Sequence, residues 1–222
     1  MSAPARVAVV DYGMGNLFSV ARACETVGLA PFVTDDPAAV EAADAIVLPG
    51  VGAFGEAMTS LTRFGLTGVL QRVVRAGRPL LDICLGMQLL AREGEEFGHH
   101  AGLGLVAGRV RKLAPRERVK LPHIGWTAVE PVGAGGAGAW HGTLLEDVAA
   151  GTPMYFVHSY VFEPDSRSVV RAVARYGETP FCAALESGPV AGCQFHPERS
   201  GVTGLSVYRS FARRVAAARG VA

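Results

Sequence analysis

Short apolar runs alternate with helical patterns over the first half of this 222-residue chain. The predicted strands cover residues 6–11, 30–35, 44–49 and 79–84, and the predicted helices cover residues 16–27 and 55–75. This rhythm predicts an α/β fold, with a mainly parallel central sheet flanked by helices and joined by right-handed crossovers. Ligands of such sheets bind beyond the carboxyl ends of the strands. The loops after Asp11, Pro49 and Ile83 are therefore expected to border the functional site.

The second half of the chain has a different pattern of shorter strands and turns. Strands are predicted at residues 105–119, 123–131, 154–160, 169–176, 181–187 and 190–195, with a closing amphipathic helix at 203–219. These segments predict an antiparallel extension of the sheet. The glycine-rich GAGGAG at 133–138 is interpreted as a flexible turn, because it lacks the strand–turn–helix context of a dinucleotide site. No repeat or linker divides the chain, so a single domain over residues 1–222 is expected.

Composition excludes several classes of protein. Half of the residues are hydrophobic and the formal net charge is +1, which is typical of a folded globular protein. The locally basic segment 109–120 is interpreted as a solvated hairpin edge, and no nucleic-acid partner is expected. The four cysteines lack metal-binding spacing, so no metal is predicted. With neither a secretion signal nor a membrane-length apolar segment, we expect reduced thiols and a cytoplasmic protein without a membrane partner.

Cys84 has the most specific context of any residue in the chain. It closes the apolar run PLLDIC and is followed at once by LGMQLL. The two segments predict a short buried strand and the first turns of a helix. A cysteine at such a turn occupies the position of a nucleophile elbow, where a helix N-terminus favours the thiolate. A lone cysteine at a strand end is more often a small buried hydrophobe, so a second signal is needed.

The segment GCQFHPE at residues 192–198 supplies that second signal. In an extended segment His196 and Glu198 project from the same face, and Pro197 keeps His196 in the extended region. His196 can then meet Cys84 while Glu198 orients the imidazole. The sequence therefore predicts a Cys-His-Glu triad. The alternative for His196 taken alone is a structural histidine in a loop.

A glycine-rich loop, PGVGAFGEAM at residues 49–58, follows a predicted strand and opens a helix. It lacks the lysine and glycine spacing of a phosphate-binding loop. Gly50, Val51 and Gly52 can instead bring backbone N–H groups close to a substrate. Thiolate attack on a carboxamide creates an oxyanion, whose stabilising donors contribute about 3–4 kcal/mol each. The loop and the amide of Leu85 are predicted to form this oxyanion hole; a tight turn that only starts a helix is the alternative.

With these motifs assembled, the chain resembles the class I (triad) glutamine amidotransferases. Within that family it is similar to the glutaminase subunits of imidazole glycerol phosphate synthase. The resemblance is carried by DYGMGNL (11–17), LPGVGAFGEAM (48–58), ICLGMQLL (83–90), HIGW (123–126), YFVHSY (155–160) and GCQFHPERSG (192–201). It implies that Cys84 attacks the side-chain amide of glutamine and that His196, supported by Glu198, protonates the departing ammonia and then activates water.

The resemblance also implies the remaining site residues and a partner. Gln88, Ser159 and Tyr160 match positions that hold glutamine, and the chemistry needs neither a metal nor an organic cofactor. Ammonia would pass to a separate (β/α)₈-barrel cyclase subunit in a heterodimer, which makes imidazole glycerol phosphate and an aminoimidazole carboxamide ribonucleotide for histidine biosynthesis. Four residues match segments that face this partner or flank the mouth of the active site: Asn16, Trp126, Tyr155 and Arg199.

Two departures from the family pattern keep other interpretations open. Asp82 stands where the family usually has glycine, and an ionised carboxylate near Cys84 would oppose thiolate formation. Thr127 stands where asparagine is usual. The alternatives are a glutaminase for another synthase, of the pyridoxal phosphate or anthranilate type, and a catalytically silent interaction module, which Asp82 alone favours.

Overall fold

The computed structural model describes residues 3–133 and 138–220. Most of the glycine-rich turn predicted at 133–138 therefore lies outside the described residues. None of the helices in these two ranges is long and apolar enough to cross a membrane.

The main sheet has nine strands in the described part of the chain. They are β1 Arg6–Val10, β2 Ala30–Thr34, β3 Ala45–Gly50, β4 Leu80–Cys84, β8 His123–Pro131, β9 Thr152–His158, β11 Val170–Tyr176, β12 Thr179–Ser187 and β13 Val190–Cys193. Their order is β2-β1-β3-β4-β13-β12-β11-β8-β9. Strands β2, β1, β3, β4 and β13 are mutually parallel. The remaining pairs are antiparallel. The predicted parallel sheet with an antiparallel extension is confirmed.

A second sheet lies beside the first. Its strands are β5 Glu93–Gly94, β6 His100–Ala101, β7 Gly108–Lys112 and β10 Tyr160–Pro164, in the order β10-β7-β5-β6. The expected strand at 105–119 is thus reduced to the five residues of β7. The single strand expected at 154–160 is also wrong, because this segment contains the end of β9 and the start of β10, which belong to different sheets. The chain leaves the main sheet at Ser159.

Helices cover both faces of the main sheet: α1 Leu17–Thr26, α2 Pro37–Ala42, α3 Phe54–Arg63, α4 Leu66–Arg75, α5 Leu85–Leu89 and α6 Gly201–Ala218. Val7 and Val9 of β1 face the core formed with α1 and α6, whereas Ala8 and Val10 face the core formed with α2 to α5. This two-sided burial explains why the parallel strands are continuous apolar runs instead of alternating ones.

Two helical predictions need correction. The single helix expected at 55–75 is two helices, because the chain turns at Gly65, whose φ of +69° lies in the region that favours glycine. Helix α2 has no counterpart among the predicted elements; it begins with Pro37 at its first turn and is capped by Asp36, which accepts a hydrogen bond from the Ala38 N–H at 2.9 Å. The loops after β1, β3 and β4 open at one edge of the sheet, as expected.

Candidate active site

Cys84 is the last residue of β4 and directly precedes the first residue of α5, at a sharp turn. Its backbone has φ +55° and ψ −108°, a conformation that costs a non-glycine residue about 1–3 kcal/mol. The side chain is 5% exposed. Helix α5 has only five residues, so the predicted first turns shorten to little more than one. This backbone conformation interrupts the alternation of side chains along β4 at Cys84. The first amide groups of α5 have no helical hydrogen-bond partners.

His196 and Glu198 form a buried pair directly after β13. Glu198 Oε1 accepts a hydrogen bond from His196 Nδ1 at 2.8 Å, and the two side chains are 4% and 1% exposed. Strand β9 holds this segment in place, because the His196 N–H donates to the Tyr155 carbonyl at 2.9 Å. Ser200 adds a clamp: its hydroxyl donates to the His196 carbonyl at 2.7 Å and accepts from the Tyr155 N–H at 3.0 Å. With its proton on Nδ1, the neutral ring leaves Nε2 available for proton transfer.

The electrostatics of His196 favour an ion pair with the nucleophile. Burial disfavours the imidazolium, but the sulfur of Cys84 and the carboxylate of Glu198 outweigh it and raise the pKa of His196 to about 10. Nε2 is buried and makes no hydrogen bond of normal geometry within the described residues, yet the Cys84 sulfur is the strongest influence that raises the pKa of the ring. The imidazolium is therefore the favoured form of His196 at neutral pH.

A cavity of about 200 Å³ opens onto Cys84. It is lined by Val51, Gly52, Cys84, Leu85, Gln88, Glu96, Val157, His158, Ser159 and Tyr160. The structure thus brings the predicted substrate-binding residues together around the nucleophile. Gly50 lies directly behind the lining, opposite Cys84 in the β3–β4 register.

Gly50 and Gly86 explain why this corner of the fold requires glycine. A Cβ on Gly50 would collide with the Tyr12 hydroxyl and lie 2.9 Å from Cβ of Leu85. A Cβ on Gly86 would collide with the Leu48 carbonyl oxygen. Without these side chains, α5 lies directly on the ends of β3 and β4, and Val51, Gly52 and Leu85 line the same cavity as Cys84.

The sulfur also contacts a chain of buried amides. Gln194 Nε2 donates to Cys84 Sγ at 3.6 Å, and Gln88 Nε2 donates to Gln194 Oε1 at 3.0 Å. Gln88 Nε2 also donates to the Tyr160 carbonyl at 2.8 Å. On the other side, the Cys84 thiol points to the Val157 carbonyl at 3.8 Å. Gln194 therefore places an N–H donor against the sulfur of the predicted nucleophile.

Comparison with known proteins agrees with this geometry. The family model described as Glutamine amidotransferase class-I matches residues 8–214. The protein named imidazole glycerol phosphate synthase subunit HisH from Syntrophotalea carbinolica is 45% identical over 210 residues, which cover 92% of this chain and 98% of that protein. HisH from Symbiobacterium thermophilum is 45% identical, with 95% of each chain covered. The chain belongs to the HisH family of class I glutamine amidotransferases.

More distant solved structures share the fold of this amidotransferase. PurLQS from Thermotoga maritima aligns with a TM-score of 0.70 at 19% identity, covering 96% of this chain and 99% of that one. A glutamine amidotransferase from Thermotoga maritima aligns with a TM-score of 0.59 at 20% identity, covering 89% of this chain and 77% of that one. At these identities the likeness shows the architecture alone.

Asp82, the main departure from the amidotransferase pattern, is fully buried in β4. Neither of its carboxyl oxygens has a hydrogen-bond partner within the described ranges, and burial raises its pKa well above the ordinary value. Burial therefore favours the neutral acid over the carboxylate. A neutral Asp82 would not oppose the thiolate of Cys84, so this buried acid gives no support to a silent interaction module.

Three of the residues predicted to face a partner form one cluster beside the segment of this amidotransferase that carries His196. The rings of Trp126 and Tyr155 meet edge to face with centroids 5.9 Å apart, and the Arg199 guanidinium lies over the Tyr155 ring at 4.7 Å. Asn16 directly precedes α1 at the carboxyl end of β1. Trp126 is 57% exposed. The contacts among Trp126, Tyr155 and Arg199 therefore connect the solvent-exposed surface with the segment that carries His196.

Sequence reasoning missed Gln194 and Glu96. Gln194 lies two residues before His196, a spacing that places both on one face of an extended segment and was available as a signal. Glu96 lines the cavity and accepts a hydrogen bond from the Phe54 N–H at 2.8 Å, at the start of α3. No local pattern marks Glu96. Between residues 3–133 and 138–220, no group of three or more His, Cys, Asp or Glu side chains is arranged to hold a metal ion.

Proposed function

We propose that this chain is the glutaminase subunit of imidazole glycerol phosphate synthase, which hydrolyses glutamine to glutamate and ammonia and passes the ammonia to a cyclase subunit. The observation that carries the proposal is Cys84, held at a strained elbow in a cavity beside the buried His196–Glu198 pair. We further propose that residues 1–222 act as one domain in the cytoplasm. The four free thiols suit a reducing compartment.

The reaction begins with the Cys84 thiolate. Its sulfur attacks the carboxamide carbon of glutamine, and the carbonyl π electrons move to oxygen. Backbone N–H groups of the 50–52 loop and of Leu85 stabilise this oxyanion. The C–N bond then breaks as the His196 imidazolium gives its Nε2 proton to the departing nitrogen, which leaves ammonia and a thioester. His196 next takes a proton from water, whose oxygen attacks the thioester and expels the thiolate.

The cavity offers complementary groups to the two ends of glutamine. Glu96 supplies a negative charge for the α-ammonium group, and the backbone at Ser159 and Tyr160 supplies polar contacts for the α-carboxylate. Gln88 is 4% exposed and tied to Gln194, which supports its placement as a fixed wall of the pocket. Glutamine would then extend its carboxamide to Cys84.

Exposed apolar side chains support a protein partner. Four of them lie in or beside the segments predicted to face it: Phe18 at 77%, Ile124 at 59%, Trp126 at 57% and Val202 at 75%. Phe18 lies in the first turn of α1 and Val202 in the first turn of α6, and these helices pack on the turn that carries Glu198. Exposed apolar side chains around a catalytic mouth are typical of an association surface. A cyclase docked here would receive ammonia without its passage through bulk water.

The test is glutamate release by the purified chain, first without a partner and then with the cyclase loaded with its nucleotide ligand. We expect strong stimulation by the ligand-loaded cyclase. In a parallel assay, Cys84→Ala should abolish glutamine-dependent synthesis while the cyclase still makes product from added ammonia. Stimulation by an anthranilate or pyridoxal phosphate synthase instead of the cyclase would reassign the partner. Folded protein without turnover in any combination would refute the proposed reaction.

A further inference from the structure

A pair of buried histidines connects strand β8 to the wall of the glutamine cavity. His123 of β8 and His158 of β9 stand opposite each other in the ladder, and their rings meet at 3.1 Å between Nδ1 of His123 and Nε2 of His158. His123 Nε2 lies 2.8 Å from Thr127 Oγ1, and His158 Nδ1 lies 3.0 Å from the Tyr160 carbonyl oxygen. The four groups form one continuous line of hydrogen bonds.

One carbonyl fixes every proton in this line. The Tyr160 oxygen can only accept, so His158 Nδ1 carries the proton and His158 Nε2 is the acceptor of a neutral ring. His123 Nδ1 must then donate, which leaves His123 Nε2 as an acceptor. Thr127 is therefore the donor that completes the line. A side chain without a donor at this position would leave a buried ring nitrogen unsatisfied.

The surroundings keep both rings neutral and in place. Burial lowers the pKa of His123 to about 4, and burial together with the charges of His123 and His196 lowers the pKa of His158 to about 3. His123 is stacked between Tyr176, at 4.2 Å between ring centroids, and Phe156, at 5.2 Å. This line of hydrogen bonds therefore fixes the positions of two neutral rings and carries no charge.

The Tyr160 carbonyl is where this line meets the catalytic amides. It accepts from His158 and from Gln88, and Gln88 is linked through Gln194 to the sulfur of Cys84. Ser159 lies between β9 and β10, where the chain passes from one sheet to the other. Its carbonyl accepts from the Leu113 N–H at 2.8 Å, and the side-chain donors at the Tyr160 carbonyl add to this backbone contact in fixing the cavity wall.

We infer that Thr127 and His123 are positioning residues for glutamine binding, which act through His158 on the Ser159–Tyr160 wall of the cavity. The inference rests on the proposed glutaminase function. It also accounts for Thr127, whose place in the family pattern is usually taken by asparagine: threonine and asparagine both supply the donor that His123 Nε2 requires.

The test compares Thr127→Val with Thr127→Ser and Thr127→Asn in the full chain with its cyclase. Valine keeps the shape but removes the donor, and we expect KM for glutamine to rise about tenfold with little change in kcat. Serine and asparagine should restore KM. Thr152→Val is the matched control, because Thr152 lies in β9 at the other end of the same hairpin and outside this line. A loss of folded enzyme would lower the apparent kcat and leave KM unchanged.

A second measurement does not depend on activity. NMR of isotope-labelled histidine rings should show His123 and His158 neutral with the proton on Nδ1, and Thr127→Val should shift the His123 signals while Thr152→Val does not. A His123→Phe change should raise KM as much as Thr127→Val, and the double variant should add nothing further. Unchanged KM in Thr127→Val, or a proton on Nε2 of His158, would overturn the inference. A wild-type chain without glutaminase activity would refute the proposed function but leave the ring signals readable.

Discussion

Asp82 offers the sharpest test of the electrostatics beside the nucleophile. Its side chain is fully buried, and both oxygens lack partners within the described residues. Burial raises its pKa well above the ordinary value of 3.8. The folded chain therefore holds a proton that the unfolded chain releases above that value. Stability from this group is complete below pH 3.8 and is lost as the pH rises through the pKa of the folded state.

The magnitude follows from proton linkage. For each pH unit above 3.8 and below the folded pKa, the free energy of unfolding falls by about 1.4 kcal/mol because of this one carboxyl group. Asp82→Asn has nearly the same shape and does not titrate. Subtracting its stability curve from that of the wild type cancels the contributions of the other ionisable groups.

The assay is urea unfolding of the wild type and Asp82→Asn at several values between about pH 5 and pH 7, because this window lies above the unfolded pKa. We expect the free energy of unfolding of the wild type to fall steadily, relative to that of Asp82→Asn, as the pH rises. The two proteins should be close in glutaminase activity. Parallel stability curves would show that Asp82 ionises alike in both states. In that case its charge would lie beside the thiolate, and the account of the nucleophile given above would be wrong.

Three further predictions concern the triad and its loop. Cys84→Ala should remove glutaminase activity while thermal unfolding stays close to that of the wild type, since alanine is slightly smaller than cysteine and keeps the same backbone strain at this position. Glu198→Gln should lower kcat/KM by roughly a hundredfold, because a buried charge-assisted hydrogen bond is lost; it should also move the alkaline limb of the pH–rate profile downward from about 10, since Glu198 helps to raise the pKa of His196. Gly50→Ala should destabilise the chain by about 1–3 kcal/mol in urea and lower kcat, because its Cβ would collide with Tyr12.

The sequence predicts the parts of the fold in which local pattern and tertiary structure agree. The apolar runs that form β1, β3 and β4 are buried on both faces, so their hydrophobicity is continuous and their ends are marked by polar residues or glycine. Between Phe54 and Arg75 the apolar periodicity continues through Gly65, which hides the break between α3 and α4. Between Thr152 and Pro164 the strand pattern continues through Ser159, which hides the change of sheet.

The candidate site divides in the same way. Cys84, His196 and Glu198 can be found because each carries a local signature, a strand–helix turn or an HPE segment. Glu96 carries no local signature, and only its contact with the distant Phe54 N–H ties it to the rest of the site. Gln194 shares an extended face with His196, but its contact with the distant Cys84 sulfur is visible only in the structure. The roles assigned to the triad and to the cavity residues remain predictions for the assays above.

Two buried carboxyl groups influence the environment of Cys84. They differ because only Glu198 has a hydrogen-bond partner within the described residues. Glu198 hydrogen-bonds the His196 ring at 2.8 Å and favours the cation that accompanies a thiolate. Asp82 has no partner within the described residues, and burial favours its protonated, uncharged form. Had both been ionised, the second negative charge would have offset the effect of His196 on the sulfur. The reactivity of Cys84 should therefore depend on one acid being paired and the other uncharged, so Glu198→Gln, which removes the paired charge, should weaken the thiolate, whereas Asp82→Asn, which keeps the second position uncharged, should not.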